Sequence, residues 1–124
     1  MKLLKAIIQP SKVESVKKAL LDIGIQGLNV SRLESYARDR ARKQVVRARE
    51  YAVDFVPMAT FETVIEDEMV DAAVKAITEA ARSGRPGDGR IFLSDISEAI
   101  NIRTGITGVD AITRVRAPEA RGAA

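Results

Sequence analysis

The apolar positions of the chain recur with two alternating periods, and each change of period marks an element. Leu3 to Ile8 is apolar apart from Lys5 and is closed by Pro10, which suits a buried strand. From Ser11 the period becomes helical: Val13, Val16, Leu20 and Ile23 share one face, while Lys12, Lys17 and Lys18 face solvent. Ser11 and Glu14 have the spacing of a capping box, and Gly24 stands where a left-handed C-terminal cap is expected. Gly27 opens a second strand, with Leu28 and Val30 on one face and Asn29, Ser31, Leu33 and Ser35 on the other. A third strand is expected near Tyr51, with Val53 and Phe55 on its face; Pro57 interrupts or bends it before Phe61, Thr63 and Ile65. Glu66, Asp67 and Glu68 place negative charge at a second helix start. The stripe of that helix is Val70, Val74, Ile77 and Ala81, and Gly84 is its expected stop. Arg90 to Ile96 reads as a fourth strand, followed by an irregular loop and a short final strand. The order strand, helix, strand, long loop, strand, helix, strand predicts an α+β, ferredoxin-like βαββαβ domain, with no sequence repeat beyond that pattern.

The alternation breaks between Ser35 and Phe55. From Arg38 to Glu50 the chain carries Arg38, Arg40, Arg42, Lys43, Arg47 and Arg49, with only Asp39 and Glu50 as acids. A charged excursion of this length exceeds what a hairpin needs, and long loops of this kind are functional or disordered. On composition alone, a solvated and ragged hairpin explains it equally well.

Composition narrows the chemistry. With 124 residues, length indicates one domain. Hydrophobic residues make up 46% and aromatics 4%, so the core must be built from Val, Ile, Leu and Ala. Cys and His are both absent, which removes disulfides, thiolate nucleophiles, imidazole bases and the usual zinc sites. A metal would have to be a hard cation on oxygen ligands. No apolar run reaches the ~20 residues that span a membrane, and the first strand lacks a signal-peptide cleavage pattern, so a cytoplasmic protein is expected. Net charge is only +3, so the basic stretch is local. Only Tyr36 and Tyr51 flank that stretch, which argues against a stacking platform for nucleic acid. Without His or a nucleophile-elbow serine, an independent enzyme is not expected.

One further constellation stands out, Arg82-Ser83-Gly84-Arg85-Pro86-Gly87-Asp88-Gly89-Arg90. Glycines let backbone amides approach an anion and the arginines add charged donors, so the segment suits phosphates. It lacks the Lys-Ser/Thr ending of a Walker A motif, and a plain turn with Gly at positive φ is the commoner origin of such a run. Asn101-Ile102-Arg103-Thr104-Gly105 offers a second arginine-bearing turn, for which a surface turn is the simpler reading.

The segments KAIIQP, ALLDIGIQGLNV, EYAVDFVP, DEMVDAAVKAITEAARSG, PGDGRIFLSDI and IRTGITGVDAI together resemble the PII signal-transduction proteins of nitrogen metabolism. The likeness runs through residues 1–112 and leaves 113–124 as a partly disordered extension. It implies a homotrimer of ferredoxin-like subunits that binds ATP or ADP in clefts between subunits. It also implies a T-loop (about 37–54) that docks on a target protein, a B-loop (about 82–90) that holds phosphates, and a C-loop (about 102–109) from the neighbour. By that resemblance Gly87, Asp88, Gly89 and Arg90 cradle phosphates, joined by Arg38 and the neighbour's Arg103. Ile7, Glu62 and Val64 line the base and ribose, and the neighbour's Gly27, Leu28 and Asn29 close the site. Arg90 stands where the family usually has Lys, Asn29 where it has Thr, and Asn101 where a further phosphate-binding Arg is common.

The resemblance also implies 2-oxoglutarate binding beside Mg-ATP, but this chain has Ala37, Asp39 and Met58 where the family has Gly, a magnesium-ligating Gln and a carboxylate-neutralising Lys. Asp39 can still ligate Mg²⁺, yet it repels a dicarboxylate and Met58 offers no charge. A divergent member with lost or weakened 2-oxoglutarate binding is expected. Tyr51 stands where many bacterial members are uridylylated. The loop cations Arg40, Arg42, Lys43, Arg47 and Arg49 are the expected docking residues, and they point to an acidic partner surface such as that of a membrane transporter. The alternative is a scaffold of the same fold whose basic loops bind nucleic acid or anionic membrane with little nucleotide control.

Overall fold

A computed structural model of the chain describes residues 1–36, 43–46, 49–52 and 55–113. Strand β1 (Lys2–Ile8) leads through helix α1 (Val13–Asp22) to β2 (Asn29–Ser35). A ribbon of two short strands follows, β3 (Lys43–Val46) and β4 (Arg49–Ala52), and then β5 (Val56–Ile65), α2 (Val70–Ala81) and β6 (Gly89–Asp95). A single helical turn, α3 (Val109–Ile112), ends the described chain.

The main sheet has the order β2-β5-β1-β6 and is antiparallel throughout. Each helix links two strands that have another strand between them: α1 carries β1 over to β2 with β5 in the gap, and α2 carries β5 over to β6 with β1 in the gap. This is the split β-α-β connectivity of the ferredoxin-like fold. Both helices pack on one face of the sheet, where Leu4, Ala6, Ile8, Ala59, Phe61 and Ile65 meet Val16, Leu20, Ala73 and Ile77. Strand alternation therefore turns Leu3, Lys5, Ile7, Met58, Thr60, Glu62 and Val64 to the opposite, helix-free face. Directly paired residues share a face, so Arg90 and Phe92 of β6 and Asn29, Ser31 and Leu33 of β2 join them there.

Several boundaries differ from the sequence reading, each for a local reason. Ser11 does not cap α1: a 3₁₀ turn over Pro10–Lys12 comes first, with Gln9 as its N-cap and no side-chain cap hydrogen bond. Proline at the first helical position starts the turn with its fixed φ and no free N–H, so the Ser11 hydroxyl is not needed. Glu14 instead pairs with Lys17 at 3.0 Å. Gly24, at φ +98°, does follow α1 as expected. The third sheet strand begins at Val56, not near Tyr51; Tyr51 lies in the separate ribbon, opposite Gln44. Pro57 is tolerated inside β5 because it lies beyond Ala59, the last residue paired to β1, and has a strand neighbour only in Glu34. Helix α2 stops at Ala81 because Arg82 turns extended, two residues ahead of Gly84, and its buried stripe is Ala73, Ile77 and Ala81. The expected final strand is an isolated Ile100–Thr107 bridge followed by α3. Residues 114–124, expected as most of an extension, lie outside the described residues.

Where β2 and β5 leave the sheet, Ser35 pairs with Val56, and the rings of Tyr36 and Phe55 meet with centroids 6.1 Å apart. The 18 residues between them start and finish at one place on the sheet edge. At the opposite end of the sheet, the Met1 amino group pairs with Asp67 at 3.1 Å and Lys2 with Asp95.

Phe61 is fully buried and is the largest such side chain among the described residues. Phe61→Ala is expected to lower unfolding free energy by about 3–5 kcal/mol, whereas Leu21→Ala, on the exposed side of α1, falls below about 1 kcal/mol. Denaturant titration of the two variants checks the contrast.

Candidate functional site

The glycine-rich turn between α2 and β6 borders a cleft of about 390 Å³ on the helix-free side. Arg85, Gly87, Asp88, Gly89 and Arg90 form one wall; Ile7, Met58 and Phe92 on the sheet and Ser35 and Tyr36 at the end of β2 form the rest. The cleft thus joins two guanidinium groups to an apolar floor.

The turn is fixed by contacts to its own chain. The Ser83 and Gly84 backbone amides both donate to Asp88 Oδ2, at 2.9 and 3.0 Å. The Ser83 hydroxyl donates to Asp88 Oδ1 at 2.5 Å and accepts from the Arg85 amide at 3.1 Å. From the turn after β1, Gln9 Nε2 donates to the Gly87 carbonyl at 2.5 Å. The Ser83 hydroxyl, then the Ser83 and Gly84 amides and the charge of Lys12, hold the Asp88 carboxyl below its ordinary value of 3.8 against a smaller opposing effect of burial. Gly89 is fixed by sterics: at φ +119°, a Cβ would lie 1.8 Å from the Ile7 carbonyl oxygen. Its glycine is demanded by the neighbouring strand, independently of any ligand. Among the described residues no carboxylate stands within 4.0 Å of the guanidinium groups of Arg82, Arg85 or Arg90.

The sequence-expected residues fall into separate places on the subunit. Ile7, Gly87, Asp88, Gly89 and Arg90 share the cleft just described. Glu62 lies on the helix-free face, facing Lys5 at 3.8 Å and paired across strands with Asn29. Val64 and Gly27 line a second cavity of about 460 Å³ with Ile25, Thr63 and Ile112. Gly27 is held there by the Thr63 hydroxyl, which donates to its carbonyl at 2.7 Å, while Leu28 packs against the core. Arg103 lines a third cavity of about 470 Å³ with Gln26, Gly27, Asn101 and Asp110. Asn101 is part of that turn's framework, its side-chain oxygen accepting from the Thr104 amide at 3.1 Å. Arg38, Asp39, Arg40, Arg42 and Arg47 lie outside the described residues; Lys43, Arg49 and Tyr51 are placed as positions of the β3–β4 ribbon.

Phe92 and Gln9 were not singled out from the sequence; Arg85 was read only as one of the turn's charged donors and Tyr36 only as an aromatic flanking the basic stretch. Gln9 acts across a separation of 78 residues and carries no local signal. Met58, read only as a missing charge, is a cleft wall that is 2% exposed.

A family model described as nitrogen regulatory protein P-II matches residues 1–106 of the chain. Proteins called nitrogen regulatory protein P-II are similar to it along their whole lengths. The one from Rhodobacter capsulatus is 49% identical, that from Rhodospirillum rubrum 48% and that from Bradyrhizobium diazoefficiens 47%, in each case over 112 residues that cover 90% of this chain and 100% of the relative. Identity near one half over that span lends no support to a divergent position.

Gly89→Ala is expected to prevent β6 from pairing with β1 at its present register, giving a loss above about 4 kcal/mol or failure to accumulate as folded protein. Gly84→Ala, with open space around it but φ +85°, is expected to cost about 1–2 kcal/mol in thermal unfolding. A carboxyl lowered on folding stabilises the turn above its ordinary value and loses that contribution as pH falls through the folded one. The Ser83 and Gly84 amide resonances should therefore hold steady above pH 3.8 and move only below it.

Proposed function

Because the chain belongs to the nitrogen regulatory protein P-II family, whose members are regulators, we propose that it senses adenine nucleotides and controls a target protein through the loop between β2 and β5. The observation that carries the nucleotide reading is the pair Arg85 and Arg90, without carboxylate partners among the described residues, beside the Gly87–Gly89 backbone over an apolar floor. Two cations unpaired among the described residues and a close backbone match a polyphosphate, and Ile7 and Phe92 offer contact to an uncharged group joined to it.

The separation of the expected residues favours a site shared between copies. Gly27 and Arg103 belong to one opening and the turn residues to another, so a nucleotide touching both sets would bridge two subunits of a homotrimer. Coupling to the loop has a physical route: Tyr36, at one end of the loop, lines the cleft and meets Phe55 at the other end. Different occupancy then biases the loop only where ATP and ADP bind its conformations unequally. Arg40, Arg42, Lys43, Arg47 and Arg49 supply positive charge for an acidic surface on the target, a transporter met at the cytoplasmic face of its membrane, an enzyme or a kinase, and the protein works in the cytoplasm. The chain acts as a regulator and not as an enzyme.

The same cleft supports a weakened response to 2-oxoglutarate. Met58, buried and uncharged, forms its wall, and Asp39 and Ala37 follow Tyr36 in sequence. Asp39 is the proposed Mg²⁺ ligand, and Tyr51 the candidate for covalent modification.

Calorimetry with ATP and with ADP is expected to show binding that Arg90→Ala weakens roughly tenfold or more, as loss of a charge-assisted hydrogen bond does. Adding 2-oxoglutarate to Mg-ATP is expected to give no mutual tightening; micromolar synergy would refute that part. Affinity capture should recover one stoichiometric protein in one nucleotide state and lose it when residues 37–54 are deleted. Salt-sensitive binding to nucleic acid or anionic vesicles, indifferent to ATP and ADP, would replace this reading by the scaffold alternative.

A further inference from the structure

An anion-binding turn must solve a problem of sign. Every backbone carbonyl and every carboxylate near it repels the ligand, and the turn from Arg82 to Arg90 places a carboxylate, Asp88, in the middle of its sequence. Asp88 borders both the cleft and a small apolar pocket behind the turn, formed with Ile8, Ile77, Ala81 and Ile91. Expected from sequence as a phosphate contact, it has the wrong charge for one.

Its hydrogen bonds give it a different part. Oδ2 accepts from two backbone amides and Oδ1 from the Ser83 hydroxyl, so both oxygens are engaged inside the turn. The carbonyl of Gly87, the residue before it, is engaged from outside by Gln9. The donors behave oppositely. No carboxylate among the described residues pairs with Arg85 or Arg90, and both line the cleft. Repulsive groups are occupied internally while attractive ones stay available.

We propose that Asp88, Ser83 and Gln9 are positioning residues that hold the turn in its anion-accepting form, tying its acceptors down so that its donors, Arg85 and Arg90 foremost, face the bound phosphates. This rests on the reading of the cleft as a nucleotide site. Asp88 closes the turn on its α2 side and Gln9 on its β1 side, while Gly89 seats it against Ile7. Removing the Asp88 carboxylate relieves a negative charge, which alone would tighten phosphate binding. It also frees the Ser83 and Gly84 amides and lets the turn relax, which weakens it. The inference is that the second effect wins.

ADP titration by calorimetry without Mg²⁺ decides the matter, together with amide hydrogen exchange at Ser83 and Gly84. Asp88→Ala should lose ADP affinity roughly tenfold or more and speed exchange at both amides, since about three hydrogen bonds go at once. Asp88→Asn, which keeps one acceptor oxygen for the amides, should recover part of the affinity. Ser83→Ala and Gln9→Ala should each give a smaller loss. Thermal unfolding should move little in all four, because these contacts lie at the sheet's edge. Equal or tighter ADP binding by Asp88→Ala would overturn the inference, as would a loss that appears only with Mg²⁺, which would make Asp88 a metal ligand. If wild type binds no ADP, the nucleotide reading fails and this inference with it, even where the amides exchange slowly. If wild type binds ADP and Asp88→Ala exchanges no faster, the positioning role alone fails.

Discussion

The carbonyl oxygen of Ile7 stands where the side chain of residue 89 would begin, and much of the molecule depends on that coincidence. Strand β1 needs antiparallel partners on both sides, and the register with β6 sets Gly89 opposite Ile8 and Arg90 opposite Ile7. Any Cβ at position 89 would collide with backbone, which cannot swing aside as a flexible side chain can. Glycine there lets β6 start flush with the end of β1. The preceding turn is thereby placed over the sheet's end, within reach of Gln9, and Arg90 is delivered to the helix-free face beside Ile7. Structural necessity and candidate function meet in one residue, so its identity alone would not separate them.

The periodic parts of the fold were legible because they follow from burial. Val13, Val16 and Leu20 on α1, and Phe61, Thr63 and Ile65 on β5, lie buried as their spacing required. Errors came where a competing local effect set the boundary. Pro10 started a helical turn before Ser11 could cap it, and extended Arg82 stopped α2 ahead of Gly84. Alternation near Tyr51 was real strand character, but alternation does not say which strand will be the partner, and here the partner is β3. The glycines and arginines of the turn were visible in the sequence, and the structure places Gly87, Gly89, Arg85 and Arg90 around one cleft. The internal use of Asp88 was not visible, because it depends on how the turn closes across five residues.

Met58 shows a subtler limit. A strand buried on one face hides every second residue, and the odd positions of β5 do this against the helices. Met58 and Thr60 belong to the other face and are buried as well. Sequence alternation predicts only the first set. The second set has neighbours on β2, where Leu33 pairs with Met58 and Ser31 with Thr60, and Tyr36 stands with Met58 in the cleft wall. The cleft therefore owes its floor to residues whose burial is tertiary in origin.

The meeting of Tyr36 with Phe55, just past the Ser35–Val56 pair, has a bearing on how such a protein can change over time. The scaffold itself brings the two ends of the intervening segment together, so the segment is not asked to close the chain. Closure entropy grows only slowly with length, by about 0.6 kcal/mol per doubling. Insertions, deletions and wholesale replacement between residues 36 and 55 are thus nearly neutral for folding. The segment can be rewritten while the sheet that anchors both its ends is inherited intact.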